Sequence, residues 1–320
     1  MLNKIISVFF MLLLTLSSAL GIPLDGLEGR SLFTDADFSD GFTVLSQETE
    51  NGNAVALGEF AFADSENVPA WMIAQWNAGD CLWNDRIESD AYTLTDGTSK
   101  WVTYNKDENS VALRLNAAAV YNGQPAGYEN WPHLLLEQSP LVDYAALDES
   151  EKAVYNLDNN RFVLDLKLRL ADFKDTTNTD GVNAVQFLSY FYLKDTDGHN
   201  FIWFGVDLFD NRGHNDTYWA VDTVSGNMIY TLSTKDTYGT MRTLLSGGQP
   251  VLSDEWTTVR VDLTPHLAEV IDRANEDNVF GEEVSLSDFY IGGTNIGFEI
   301  HGNYDCTVEI KDFNLTSYHR

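Results

Sequence analysis

Positive charge is scarce in this chain: Lys and Arg total 19 against 49 Asp and Glu, for a net charge of −30. Such a field repels nucleic acid and anionic membrane surfaces, so neither is expected as a partner, and a strongly anionic polymer is disfavoured as well. Cysteine is rarer still, with only Cys81 and Cys306. Two cysteines exclude a cysteine-based metal framework. In an exported chain they predict one disulfide, closing a loop of 225 residues (306 − 81). In the chain-entropy model such a loop is worth roughly 5 kcal/mol. Two buried free thiols are the alternative, because spacing alone does not bring them together.

Several signatures are missing. There is no phosphate-binding glycine loop, no His-Glu-x-x-His and no Gly-x-Ser-x-Gly, which argues against a nucleotide enzyme, a zincin or an ordinary serine esterase. No Pro- or Ser-rich linker divides the chain. Beyond the N-terminus no apolar run is long enough to span a bilayer.

The N-terminus itself reads as an export signal over residues 1–21. Lys4 precedes the apolar stretch Ile5 to Leu16, and Ser17-Ser18-Ala19-Leu20-Gly21 supplies small residues for cleavage. Those 12 residues fall short of the ~20 needed to cross a membrane. The expectation is a secreted, extracellular protein with no membrane insertion after cleavage. Residues 22–52 read as an extended leader or a first strand, and 53–320 as one large domain. With 44% hydrophobic and 12% aromatic residues, that domain has the material for a sizeable core.

Alternation of period two dominates it. Phe162, Leu164, Leu166, Leu168 and Leu170 alternate with Val163, Asp165, Lys167 and Arg169. Val185, Phe187, Phe191 and Leu193 stand behind Gln186, Tyr190 and Tyr192. Similar runs occur at 111–115, 201–208, 257–262, 295–301 and 304–310, separated by Asp96-Gly97, Asn122-Gly123, Asp197-Gly198 and His301-Gly302-Asn303. These are half-buried antiparallel strands joined by turns. One helix is expected after Thr264 as cap and Pro265, carrying Leu267, Val270, Ile271 and Ala274 at helical spacing, and a short helical turn near 148–154. The predicted fold is an all-β antiparallel jelly-roll (concanavalin-like) sandwich with one or two short connecting helices.

The run Trp131-Pro132-His133-Leu134-Leu135-Leu136-Glu137-Gln138 is the most informative. As a strand it places His133, Leu135 and Glu137 on one face and Leu134, Leu136 and Gln138 on the other. Trp76, Trp83, Tyr128, Trp131 and Trp203 lie close to amides and charged groups. Aromatic faces stack on sugar rings while amides and carboxyls bond the hydroxyls, although single aromatics are more often core. Arg86, Gln186 and His301 complete the candidate ligand-binding set. Glu137 and Glu299 form a candidate carboxylate pair for glycoside hydrolysis. His133 and Tyr190 are the proton carriers for a lyase alternative, in which Arg86 or Gln186 would neutralise a uronate. Asp195 and Asp197, in an Asp-Thr-Asp-Gly turn, are candidate ligands for a structural calcium, with a plain turn as the alternative. Nothing here requires a cofactor. Asn215-Asp216-Thr217 and Asn314-Leu315-Thr316 have the form of N-glycosylation acceptors.

The block Phe201-Ile202-Trp203-Phe204-Gly205-Val206-Asp207-Leu208-Phe209-Asp210-Asn211-Arg212, together with 131–138 and 291–299, resembles segments of secreted bacterial sandwich proteins from polysaccharide-degrading organisms. The ending 297–315 is similar to the last strands of carbohydrate-binding jelly rolls. The resemblance implies a fold and, at most, a substrate class. The expected function is recognition of a neutral or weakly charged polysaccharide in a groove. A cleaving enzyme on the same scaffold and a structural or calcium-dependent surface protein are the rivals.

Overall fold

The computed structural model describes residues 27–50, 53–122, 124, 131–158, 160–177, 182–213, 216–222, 225–234, 244–246 and 249–319. The expected export signal lies outside them. The strands are β1 (Glu28–Ser31), β2 (Gly41–Glu50), β3 (Asn53–Ala61), β4 (Trp71–Ala74), β5 (Ile87–Asp90), β6 (Thr93–Thr95), β7 (Lys100–Asn105), β8 (Ser110–Asn116), β9 (His133–Gln138) and β10 (Asn160–Asp175). They continue with β11 (Ala184–Asp195), β12 (Phe201–Asp210), β13 (Tyr218–Val221), β14 (Met228–Ser233), β15 (Leu245–Ser246), β16 (Gln249–Pro250), β17 (Thr257–Asp262), β18 (Phe289–His301) and β19 (Tyr304–His319). The described residues also hold α1 (Ala117–Val120), α2 (Glu149–Tyr155) and α3 (Thr264–Glu276).

Two sheets face each other as a sandwich. One has eight strands in the order β17-β10-β19-β8-β7-β6-β5, with β1 added on β19. The other has nine, in the order β13-β14-β12-β11-β18-β9-β4-β2-β3. The alternation explains the assembly: Leu164, Leu168 and Leu170 of β10, Leu113 of β8 and Ile310 of β19 meet Leu134 and Leu136 of β9, Phe191 of β11 and Phe298 of β18 in one core. Removing that apolar surface from water is the dominant favourable term. The stretch read as a leader or first strand supplies both β1 and β2, and β2 pairs with β3 and β4 inside the nine-stranded sheet.

Three local expectations need correction. Pairing is antiparallel throughout except between β2 and β4 and between β12 and β14, which are parallel. Thr264 does not cap α3; its hydroxyl accepts the Phe162 N–H at 3.0 Å, tying the helix to β10, while Leu267, Val270, Ile271 and Ala274 are buried as expected. Cys81 and Cys306 do not pair. Cys306 alternates inward on β19 and is buried in the core, whereas Cys81 sits in a loop where its sulfur receives the Gln75 amide at 3.5 Å. Burial pushes the Cys306 thiol well above its ordinary value.

Candidate functional site on the outer face of the nine-stranded sheet

The face of this sheet turned away from the core gathers most of the candidate residues. On β9, Leu134 and Leu136 enter the core, so His133, Leu135 and Glu137 face outward. Register then fixes the neighbours. His133 lies opposite Glu299, Glu299 opposite Gln186, and Gln186 opposite Asp210. Two residues further along β9, Leu135 lies opposite Gly297 and Gly297 opposite Leu188. In the next row Met72, Glu137, Asn295, Tyr190, Gly205 and Thr231 follow one another across six strands. Beside it run Gly293, Tyr192 and Trp203.

Glycines shape this surface. A β-carbon on Gly293 would come within 2.2 Å of the Tyr192 ring, and one on Gly205 within 2.6 Å of the Tyr190 ring. Both tyrosines therefore lie down across a neighbouring strand, in space that only a residue without a side chain leaves open. Trp203 stands edge-on to Tyr192 at 4.7 Å between ring centres and to Tyr190 at 6.0 Å. Phe201 joins them, its ring 4.7 Å from that of Trp203.

Polar groups are recessed among the rings. Asn295 donates its amide to the Tyr192 hydroxyl at 3.0 Å, and Tyr192 in turn hydrogen-bonds the Glu137 carboxyl. Burial raises Glu137 to about 7, against the opposing pull of the Tyr192 hydrogen bond and the Lys194 charge. Near neutrality it is poised between acid and base. His133 Nε2 lies 3.7 Å from Glu299 Oε2. Burial pulls the His133 imidazolium down, but the charge and hydrogen bond of Glu299 outweigh it and leave the group above its ordinary value. Gln186 donates to Asp210 at 3.2 Å, and Asp210 also holds Arg212 at 3.0 and 2.5 Å. Tyr190 reaches Thr231 at 3.5 Å, and burial pushes its phenol far up.

The structure thus brings together His133, Glu137, Gln186, Tyr190, Trp203 and Glu299. Trp131 and His301 meet with their rings tilted, centres 5.1 Å apart, at one end of the same face, where His301 Nδ1 also contacts the Val182 carbonyl. Trp76 packs there with Leu45, Ala74 and Leu135, forming an apolar margin. Trp83 and Arg86 lie elsewhere. The Trp83 ring fills the space over Gly58, whose partner Val44 is in the core, and Arg86 lies 4.0 Å over that ring. Asp195 caps its own turn, accepting the N–H groups of His199 and Asn200 at 2.7 and 2.9 Å, with Asp197 exposed beside it. Among the described residues no group of three His, Cys, Asp or Glu is placed to hold a metal ion. Tyr128 lies outside the described residues. Asn295 and Asp207 were not singled out for this face; their signal is alternation, since Asp207 stands between the inward Val206 and Leu208 and Asn295 precedes the inward Ile296.

No protein-family model matches the chain, and no curated protein matches it. Among solved structures it is similar to a native family 12 xyloglucanase from Bacillus licheniformis, at 9% identity and a TM-score of 0.39, covering 72% of this chain and 98% of that one. It is also similar to a metagenome-derived glycoside hydrolase family 12 endoglucanase, at 12% identity and a TM-score of 0.39 over 78% and 99% of the two chains. An endoglucanase from Rhodothermus marinus gives 10% identity and a TM-score of 0.34 over 69% and 86%. A likeness at this level carries no chemistry over to this chain.

Proposed function

We propose that the outer face of the nine-stranded sheet binds a glycan, outside the cell. The observation that carries this reading is the pair of tyrosines laid flat over Gly293 and Gly205 beside Trp203, with the Asn295–Tyr192–Glu137 chain set among them. Flat aromatic surface suits the apolar faces of sugar rings, and a few convergent polar groups orient hydroxyls. The export signature expected at residues 1–21 and the acidic charge fit an uncharged extracellular polymer better than a uronate or a nucleic acid. Native gels cast with neutral polysaccharides test it: retardation that the Trp203→Ala variant loses supports it, and free migration on every polysaccharide counts against it.

Cleavage of the bound glycan is the second reading, and Glu137 favours it. A carboxyl held near 7 is suited to general acid work, and Glu299 shares its face. Their positions weigh for binding first. Glu137 lies opposite Asn295 and Glu299 opposite His133, four residues apart along paired strands, or about 13 Å of strand. Glycoside hydrolysis uses carboxyls about 5 to 9.5 Å apart, so these two side chains would have to lean together. Release of reducing ends from a retarded polysaccharide, abolished in Glu137→Gln, would establish cleavage. The lyase alternative is weaker, because the buried phenol of Tyr190 gives up its proton with difficulty.

A further inference from the structure

Asp207 is a deeply placed acid on this face. Val206 and Leu208 on either side of it enter the core, so its carboxyl points outward with Trp203 and Gly205. It is nonetheless only 4% exposed, and among the described residues its Oδ1 has no hydrogen-bond partner. A buried carboxyl oxygen without a partner costs about 1 to 3 kcal/mol, so it calls for a matching group. The groups around it are few. From β11, Tyr190 approaches closely enough for its phenol to feel the Asp207 charge; β14 offers Thr231 and Ser233, neither of them charged; Asp210 and Arg212 follow on its own strand and turn. Arg212 is held by Asp210, and no other cation among the described residues acts on Asp207.

Burial and the nearby Asp210 charge push the Asp207 carboxyl well above its ordinary range, outweighing Arg212. A neutral carboxyl presents one O–H donor beside one carbonyl-type acceptor. That pair is the complement of neighbouring hydroxyls on a sugar. Tyr190 and Thr231 stand diagonally across, 3.5 Å apart over Gly205. A β-carbon on Gly205 would come within 2.6 Å of Tyr190 and 2.9 Å of the Thr231 hydroxyl, so the absence of a side chain there is what lets the ring and the hydroxyl meet over the strand.

We propose that Asp207, Tyr190 and Thr231 form a hydroxyl-binding subsite that accepts an uncharged sugar unit and excludes a uronate. The subsite rests on the glycan reading above and adds a residue and a charge preference to it. A sugar carboxylate placed there would meet Asp207 and Asp210, with Arg212, the one cation acting on Asp207 among the described residues, already engaged by Asp210. Asp207 acts as a donor only while protonated, so raising the pH removes the donor and adds a repelling charge.

The test uses the full chain in native gels cast with hydroxyethyl cellulose, xyloglucan, galactomannan or polygalacturonate, near neutral and at alkaline pH, with Trp203→Ala as the control for glycan binding. The expected result is retardation on at least one neutral polymer, none on polygalacturonate, and binding weakened at least about tenfold in Asp207→Ala. Asp207→Asn, which keeps a donor and an acceptor without charge, is expected to bind near the wild-type level and to keep binding at alkaline pH, where the wild type loses it. Equal binding by wild type and Asp207→Ala, with Trp203→Ala impaired, overturns the subsite and leaves the glycan reading standing. Equal retardation by polygalacturonate also overturns it. No retardation on any polymer removes the glycan reading and the subsite together. If Asp207→Ala fails to fold, the alkaline profiles of wild type and Asp207→Asn decide alone: parallel loss in both contradicts the proposal.

Discussion

The Tyr192 ring lies where a side chain on Gly293 would be, 2.2 Å from the position of its β-carbon. The two residues sit on adjacent strands and are directly paired. Gly293→Val therefore has no small adjustment open to it, since the clash is with the root of the ring. Overpacking of this kind costs about 1 to 3 kcal/mol. The variant is expected to lower the urea midpoint, with the unfolding free energy reduced by that amount, and to weaken glycan retardation; an unchanged midpoint with intact retardation would show that Tyr192 does not lie there.

Glu137 gives the fold a pH signature of known sign. Its folded value of about 7 lies above the ordinary 4.5, so the folded state holds the proton more tightly. The stabilisation is complete below about pH 4.5 and is lost as pH rises through about 7. Asp35, raised to about 7 chiefly by burial, acts in the same window. Urea unfolding across that range is expected to show stability falling with pH. Glu137→Gln is expected to flatten part of the slope and Glu137→Gln with Asp35→Asn more of it, the raised Asp207 supplying slope of the same sign in both variants. A double variant as steep as the wild type would contradict both assignments.

Lys100 and Asp96 form an ion pair with no exposure on either side chain, 3.3 Å apart. The ammonium also bonds the carbonyls of Ala78 and Asp80, fastening the loop that carries Cys81. Lys100→Met removes one partner of a buried pair and is expected to cost about 3 to 5 kcal/mol in urea unfolding. A loss below about 1 kcal/mol would place the pair in the class of exposed salt bridges.

The cysteines give a sharp contrast with what composition suggests. Both are free, so a reducing agent is expected to leave the melting temperature unchanged, and thiol titration of the unfolded chain is expected to count two. A melting temperature that drops on reduction would restore the disulfide.

Much of the framework was legible from alternation, which marked the inward faces of β10 and β11 residue by residue and the parts of β18 and β19 at 295–301 and 304–310 as strand. What alternation does not carry is register. Tyr192 and Gly293 are far apart in the chain, as are Tyr190 and Gly205 from Thr231, and only strand pairing reveals that rings lie over glycines. The parallel pairs β2–β4 and β12–β14 stayed hidden for the same reason. Local chemistry also misled. Trp83 and Arg86 look like a sugar-binding pair in sequence, yet Gly58 on β3 offers the ring a place against the core.

The most direct measurement is affinity electrophoresis of the wild type and Trp203→Ala on neutral polysaccharides, with thermal unfolding to show that both are folded. Trp203 is half-buried at the centre of the aromatic surface, touching Tyr190, Tyr192 and Phe201. The account expects retardation of the wild type on a neutral glycan and its loss in a folded Trp203→Ala protein. Retardation of the two proteins to the same extent, or of neither, would contradict it.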